Sequence, residues 1–280
     1  MTLRADAHIH LFAGGYQEQS SVSRPGIAID EAACYHSLAQ DFDVTKALVV
    51  GYGGEAWCRD NNSFLRDQLQ HFDWIQPTAY VPVDMPLSLE ELEKLQQQGF
   101  VGVSLFVFGD EVKQLEKIPD RFWAWLETHQ WLLSVNSEKT DWTAWHAILK
   151  RFPALRLLVS HLGLPPATGI APTPQQAAET MQSVTTLSNF SGVFVKLSGF
   201  YALTVPGHDY PHAAAWPYVE QLVEAFSSHR LLWASDFTPC LDWVSFPQTF
   251  DLFQKMPFLN DEDVERICGK NLLALLEAIK

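Results

Sequence analysis

Eight short apolar runs follow one another at nearly even intervals, and this regular alternation constrains the fold more than any other feature. Several runs, such as KALVV and RLLVS, are continuously apolar, which is typical of strands buried on both faces. Segments with helical periodicity lie between them. The predicted strands are Ala5–Leu11, Lys46–Gly51, Gln76–Val81, Gly102–Phe108, Trp131–Ser137, Leu155–His161, Val193–Ser198 and Leu231–Asp236.

Strand–helix alternation of this kind builds two architectures. The 280 residues suit a (β/α)8 TIM barrel, which typically takes about 250 residues. The same pattern also fits a doubly wound open sheet, so alternation alone leaves both open. Because no linker or change in composition interrupts the chain, we predict one domain over residues 1–280. Its C-terminal segment, DEDVERICGKNLLALLEAIK, is predicted as two short helices that are broken at Gly269.

Charge and composition exclude several classes of partner. The net charge is −14, which disfavours binding to nucleic acid or to an anionic membrane. No apolar run reaches the roughly 18 residues that span a bilayer. The first residues, MTLRADAHIHLF, lack the apolar core of a secretory signal, and the four scattered cysteines form no C-x-x-C pair. We therefore expect a cytoplasmic protein with a small-molecule substrate; homo-oligomerisation is left open.

Four irregular segments each follow a predicted strand. In a barrel, the loops after the strands meet at one rim, where the enzymes of this fold place their active sites. This rim is therefore where we expect chemistry. The segments are Phe12–Pro25, Gly51–Arg59, Leu162–Pro174 and Tyr201–Trp216.

Polar residues at three strand ends are candidates for that chemistry. His8 and His10 lie two residues apart on the first strand, so both side chains point to one side, where two imidazoles can bind a divalent ion or polarise a carbonyl group. His161 ends the sixth run and Asp236 the eighth. Each has an ordinary structural explanation when taken alone. If the barrel closes, however, the eighth strand lies beside the first and brings Asp236 to the histidine pair.

Four motifs resemble the amidohydrolase-related (amidohydrolase 2) family of the amidohydrolase superfamily: DAHIHLF, LLVSHLGLP, FVKLSGFYAL and LLWASDFTP. The chain is most similar to the branch of 2-pyrone-4,6-dicarboxylate lactonase. The resemblance implies a distorted (β/α)8 barrel. It also implies lactone hydrolysis, another hydrolysis or, in a related branch, non-oxidative decarboxylation. His8, His10, His161 and Asp236 match the family's site positions on strands one, six and eight.

Two positions depart from the family pattern. Metal-binding relatives carry a histidine on strand five, where this chain has Asn136, and an amide is a poor zinc ligand. Relatives often carry a cation on strand four, where Ser104 stands here, so a substrate carboxylate loses its anchor. Lys196 could supply positive charge instead. Further candidates for substrate contact at the rim are Tyr201, Trp57 and Arg59.

The sequence thus predicts a hydrolase that opens a lactone or related substrate without a required cofactor. Asp236 is the predicted general base, and His8, His10 and His161 are predicted to polarise the carbonyl group. In the alternative chemistry, His8, His10 and Asp236 hold one divalent ion, zinc or manganese. The same barrel could also support a non-oxidative decarboxylase or a non-catalytic binding protein, and both remain open.

Overall fold

The computed structural model describes residues 3–16 and 29–279. Eight parallel strands form one sheet in chain order from first to last. A doubly wound sheet would reverse its strand order at a switch point, so this order confirms the TIM barrel. One domain over all of residues 1–280 stays a prediction. The strands are β1 (Arg4–Ile9), β2 (Val44–Val50), β3 (Ile75–Tyr80), β4 (Gly102–Phe106), β5 (Leu132–Asn136), β6 (Arg156–Val159), β7 (Val193–Leu197) and β8 (Leu231–Trp233).

Helices follow the strands around the outside of the barrel. Several begin at capping side chains: the Ser88 and Thr173 hydroxyls accept hydrogen bonds from backbone N–H groups in the first turns of the helices that start at Leu89 and Pro174. The helices are α1 (Glu31–Asp41), α2 (Asn61–Gln68), α3 (Leu89–Gln97), α4 (Asp120–Thr128), α5 (Trp145–Arg151), α6 (Pro174–Thr185), α7 (Phe200–Leu203), α8 (Trp216–Phe226), α9 (Gln248–Asp251), α10 (Asp261–Glu265) and α11 (Asn271–Glu277).

The first and last strands meet and nearly close the barrel. The Asp236 N–H donates to the His8 carbonyl at 2.9 Å, and Ile9 pairs in parallel with Phe237. Closure therefore puts the chain just after β8 beside β1, as the predicted site requires.

A bulge interrupts β1. Asp6 pairs with Ala47 and Ile9 with Val49, so β1 advances three residues while β2 advances two. Because of this extra residue, Asp6 points outward and accepts a hydrogen bond from the Tyr35 hydroxyl of α1. His8, which has the same parity as Asp6, points into the barrel.

Two apolar clusters stabilise the fold. The larger one lies between the sheet and the surrounding helices. The smaller one fills the lower, N-terminal end of the barrel interior and is closed from below by Leu272 and Leu275 of α11. Burying one such leucine contributes about 1.5–3 kcal/mol. The residues of the smaller cluster that lie on the strands are Ala5, Ala7, Leu48, Leu132, Leu158 and Leu232, and Ala234 follows β8 directly.

The predicted break at Gly269 is wrong. A π-helical turn over Arg266–Lys270 continues α10 directly into α11. Glycine serves there for close packing rather than for ending a helix, since a Cβ would lie 2.3 Å from the Leu3 carbonyl oxygen. Of the predicted loop Phe12–Pro25, residues 17–25 lie outside the described part of the chain.

No helix in residues 3–16 and 29–279 is long and apolar enough to cross a membrane. All four cysteines are free thiols.

Candidate active site

His8, His161 and Asp236 converge inside the upper, C-terminal end of the barrel. The His8 Nε2 atom lies 3.8 Å from Asp236 Oδ1, and the His161 Nδ1 atom lies 3.9 Å from Asp236 Oδ2. Both β6 and β8 end two to three residues earlier than predicted, at Val159 and Trp233. His161 and Asp236 therefore follow their strands rather than end them.

Both residues adopt left-handed backbone conformations, with φ of 52° at His161 and 60° at Asp236. Such conformations cost about 1–3 kcal/mol and are concentrated at functional sites. Gly199 makes room for the His161 ring: its own φ is +68°, and a Cβ there would lie 2.9 Å from His161 Nδ1. The Ser198 hydroxyl also lies 2.9 Å from that nitrogen. The local backbone is thus arranged around this imidazole.

His8 and His10 contact each other directly. Their Nε2 atoms are 2.9 Å apart, and His10 Nδ1 lies 2.9 Å from the Val50 carbonyl oxygen. A carbonyl oxygen only accepts hydrogen bonds, so His10 carries a proton on Nδ1. Burial, followed by the nearby Lys196 charge, holds the pKa of His8 well below its usual value. His8 is therefore a neutral imidazole.

Asp236 is held by a tyrosine of α7, the short helix that follows β7. The Tyr201 hydroxyl donates to Asp236 Oδ2 at 2.6 Å. Burial and the adjacent carboxylate raise the pKa of Tyr201 well above its usual value, so the hydroxyl keeps its proton. Oδ2 is thus engaged, and Oδ1 is the oxygen that faces His8.

Lys196 lies beneath these residues and is fully buried on β7. Its Nζ donates to the Ser134 hydroxyl at 2.7 Å and lies 3.3 Å from His8 Nδ1. The Ser160 hydroxyl lies 3.4 Å from the same nitrogen. Burial lowers the pKa of Lys196 to about 7, although the carboxylates of Asp236 and Asp6 oppose this shift. Lys196 thus contacts the site through His8, and it carries its positive charge below about pH 7.

The two positions that depart from the family pattern differ in their hydrogen bonding. Ser104 is buried and donates to the Gly51 carbonyl at 2.6 Å. Asn136 ends β5 and is only 3% exposed, yet its Nδ2 has no hydrogen-bond partner among the residues that the structure describes. A buried amide without a partner is costly. Asn136 therefore offers an unused donor at the upper end of the barrel.

An aromatic wall lies beside His10, whose ring centroid is 6.0 Å from that of Phe12 and 5.9 Å from that of Tyr52. We define it as Phe12, Tyr16, Tyr52, Trp57 and Phe106. The Phe12 and Trp57 ring centroids are 4.6 Å apart, and those of Tyr52 and Phe106 are 4.9 Å apart. Of these, sequence reasoning singled out only Trp57; the available signal was that all five follow or end β1, β2 or β4. Arg59, also predicted at the rim, is exposed beyond the short helix Ala56–Cys58.

The family model for amidohydrolases matches residues 5–277. The chain belongs to the amidohydrolase family. This confirms the predicted family, and membership indicates an enzyme of hydrolase or lyase type with a small-molecule substrate. No curated protein matches this amidohydrolase significantly in sequence.

Solved structures show the same barrel. An amidohydrolase from Burkholderia multivorans with bound HEPES is 17% identical with a TM-score of 0.81, and 98% of this chain and 99% of that one are covered. Its structure with bound zinc has a TM-score of 0.78 at the same identity and coverage. A probable 2-pyrone-4,6-dicarboxylic acid hydrolase from Acinetobacter baumannii, with citric acid bound, is 19% identical with a TM-score of 0.74, covering 99% and 100%. At such identities the likeness establishes the TIM-barrel fold and nothing finer.

The amidohydrolase has one cluster that could hold a metal ion among its described residues. Ligand atoms of His8, His161 and Asp236 all lie within 4.8 Å of one another. Two imidazoles and a carboxylate are ligand types found in catalytic zinc sites, so the residue types of this cluster match a divalent ion, while the tautomer of His8 decides whether its lone pair is available to one. His161 takes part in this cluster, while His10, predicted as a ligand, contacts His8 and Val50.

Proposed function

We propose that this amidohydrolase opens a lactone or a related carbonyl substrate by attack of water, with Asp236 as the general base. The observation that carries the proposal is the 3.8 Å between Asp236 Oδ1 and His8 Nε2. This distance exceeds a direct hydrogen bond, and it separates a base from a donor inside a buried site. An attacking water on Oδ1 and a carbonyl oxygen near His8 would occupy adjacent positions.

In this proposal, each chemical step of the hydrolysis is assigned to a residue. Asp236 takes a proton from water as the oxygen adds to the carbonyl carbon. His8 and His161 polarise the carbonyl group and stabilise the negative charge on its oxygen, and one such donor typically contributes about 2.7–4 kcal/mol. His10, predicted as a further donor of this kind, uses its Nδ1 proton on the Val50 carbonyl oxygen and instead holds His8 through the contact between their Nε2 atoms. The ring carbon–oxygen bond breaks, and the departing oxygen recovers the proton from Asp236. Tyr201 keeps the carboxylate oriented throughout.

The walls of the site provide substrate contacts in this proposal. Asn136 would donate its unused N–H to a substrate oxygen, and the aromatic wall would pack on a ring face. Ser104 in place of a cation disfavours a substrate held by its carboxylate there. Trp57 belongs to the aromatic wall, while Arg59 remains a proposed rim contact.

Metal-dependent hydrolysis is the second candidate, and the cluster of His8, His161 and Asp236 favours it. His10 is the further ligand that the sequence predicts. A divalent ion in this cluster would lower the pKa of water toward about 7. In either version Asp236 remains the group that holds the proton or the ion.

Elemental analysis of the purified protein followed by a lactone panel distinguishes the two candidates. We expect ring opening that persists after chelation and shows no gain from added zinc or manganese. Stoichiometric metal whose removal abolishes turnover would favour the second candidate. If neither esters nor lactones were hydrolysed, with or without added metal, this result would contradict both candidates.

The variant Asp236→Asn tests the general base. Activity should fall by about 10²–10⁴-fold, the usual contribution of a positioned base. Asp209→Asn, an exposed carboxylate on the same rim, is the matched control and should retain activity. Activity of Asp236→Asn within tenfold of the wild type would refute this role.

A further inference from the structure

Lys196 is fully buried under the site, and none of the proposed steps uses it. Its two polar contacts are the Ser134 hydroxyl at 2.7 Å and His8 Nδ1 at 3.3 Å. Placing an ammonium group in a barrel interior is costly unless the group is paired and hydrogen-bonded. The contact with His8 is one of these compensating hydrogen bonds, and it joins Lys196 to the site.

The partners of His8 determine which of its nitrogens carries the proton. An ammonium group has donors and no acceptor, so His8 Nδ1 must accept from Lys196 with its lone pair. With Nδ1 engaged as an acceptor by Lys196 and the Ser160 hydroxyl, the ring proton of His8 lies on Nε2. The contacts of His10, on the other side of His8, lead independently to the same tautomer. His10 donates through Nδ1 to Val50, so its Nε2 is left to accept the proton of His8 across 2.9 Å.

This tautomer decides what His8 can do. With a proton on Nε2, His8 is a donor at the nitrogen that faces both His10 Nε2, at 2.9 Å, and Asp236 Oδ1, at 3.8 Å. A metal ligand needs a lone pair there instead, and a ligating histidine usually donates its other N–H to an acceptor. Here the other nitrogen faces a donor. The positive charge of Lys196 also repels a cation.

We propose that Lys196 is a positioning residue that holds His8 as a hydrogen-bond donor and keeps divalent ions off the site. This inference deepens the proposed function, on which it rests for the catalytic meaning of the donor. The tautomer and the metal exclusion themselves can be measured without turnover.

Nitrogen-15 NMR of the histidine rings reads the tautomer directly. We expect wild-type His8 at pH 6 to show a protonated Nε2 and an unprotonated Nδ1, with the signals assigned by their loss in His8→Gln. Lys196→Met, which removes the donor and the charge, should move the proton wholly or partly to Nδ1. A wild-type His8 protonated on Nδ1 would overturn the proposal, even if the variant does not fold.

Zinc titration at the same pH provides the second measurement. Partners of this kind change metal affinity by about 10–100-fold, so Lys196→Met should bind zinc at least about tenfold more tightly than the wild type. Phe194→Leu, on the same strand inside the lower barrel, is the matched control and should bind zinc as the wild type does. Equal zinc affinity in Lys196→Met and the wild type would reject the metal-excluding role. An absence of lactone turnover would instead count against the proposed function and leave both readouts intact.

Discussion

The lower and upper halves of the barrel interior differ in chemistry although the same strands build both. On β5, Leu132 lies in the lower half and Ser134 contacts Lys196 in the upper half. On β6, Leu158 is apolar, while Ser160 after the strand lies near His8. On each of these strands, two residues along the chain therefore separate an apolar packing position from a polar position at the site. Stability should therefore depend on the lower half and turnover on the upper half.

The largest expected effect tests the lower half. Leu158→Ala should destabilise the protein by about 2–5 kcal/mol, because it removes buried methyl groups and leaves a cavity. The activity of the folded fraction should be unchanged. Urea unfolding and kinetics of the same samples measure both. Ser160→Ala is the matched substitution in the upper half and should cost far less stability. Similar losses of stability in the two variants would break the comparison.

The Asp6 carboxyl group lies on the outer side of the barrel wall, at the level of the lower half, and its titration should affect stability. Burial raises its pKa from 3.8 to about 6 despite several hydrogen bonds. The folded protein thus holds the Asp6 proton more tightly than the unfolded chain. This contribution is present below about pH 4 and is lost as the pH rises through about 6, a change of up to about 3 kcal/mol.

Asp6→Asn removes this titration. The stability of the wild type relative to the variant should therefore decrease between pH 4 and pH 7, as measured by urea unfolding at each pH. The comparison between the two proteins cancels the titration of other carboxyl groups. A constant difference across this range would show that Asp6 has an ordinary pKa.

The smallest expected effect concerns the support of Asp236. Tyr201→Phe removes one hydrogen bond to a charged group, which is typically worth about 1.5–3 kcal/mol. Activity should fall about 10–100-fold with little change in melting temperature. Tyr218→Phe, a buried tyrosine of α8, is the control and should keep its activity. If Tyr201→Phe lost stability but not activity, the role of Tyr201 would be packing, like that of the residues of the lower half, and not the orientation of Asp236.

Much of this organisation was predictable from the sequence because parallel strands are strongly apolar. All eight strands lie where the apolar runs predicted them, with ends that differ by a few residues. Polar residues that closed such runs, His161 and Asp236, stood out for the same reason. Barrel closure did not follow from alternation, since an open sheet has the same pattern; the family resemblance favoured the barrel.

Other features were not predictable because they depend on contacts between strands. The β1 bulge turns Asp6 outward and His8 inward, although a regular strand would point both to one side. The link from Lys196 to His8 joins residues 188 positions apart. The aromatic wall is hidden in a chain with 18 Phe and 10 Trp, where no single ring is conspicuous.

The seam between β1 and β8 has a consequence for how the protein is made. Because Asp236 comes late in the chain, a ribosome synthesises all three imidazoles well before this carboxylate. In the proposed function, an unfinished polypeptide therefore has no general base in place until β8 docks against β1. Maturation of the proposed catalyst and completion of the tertiary structure are then a single event.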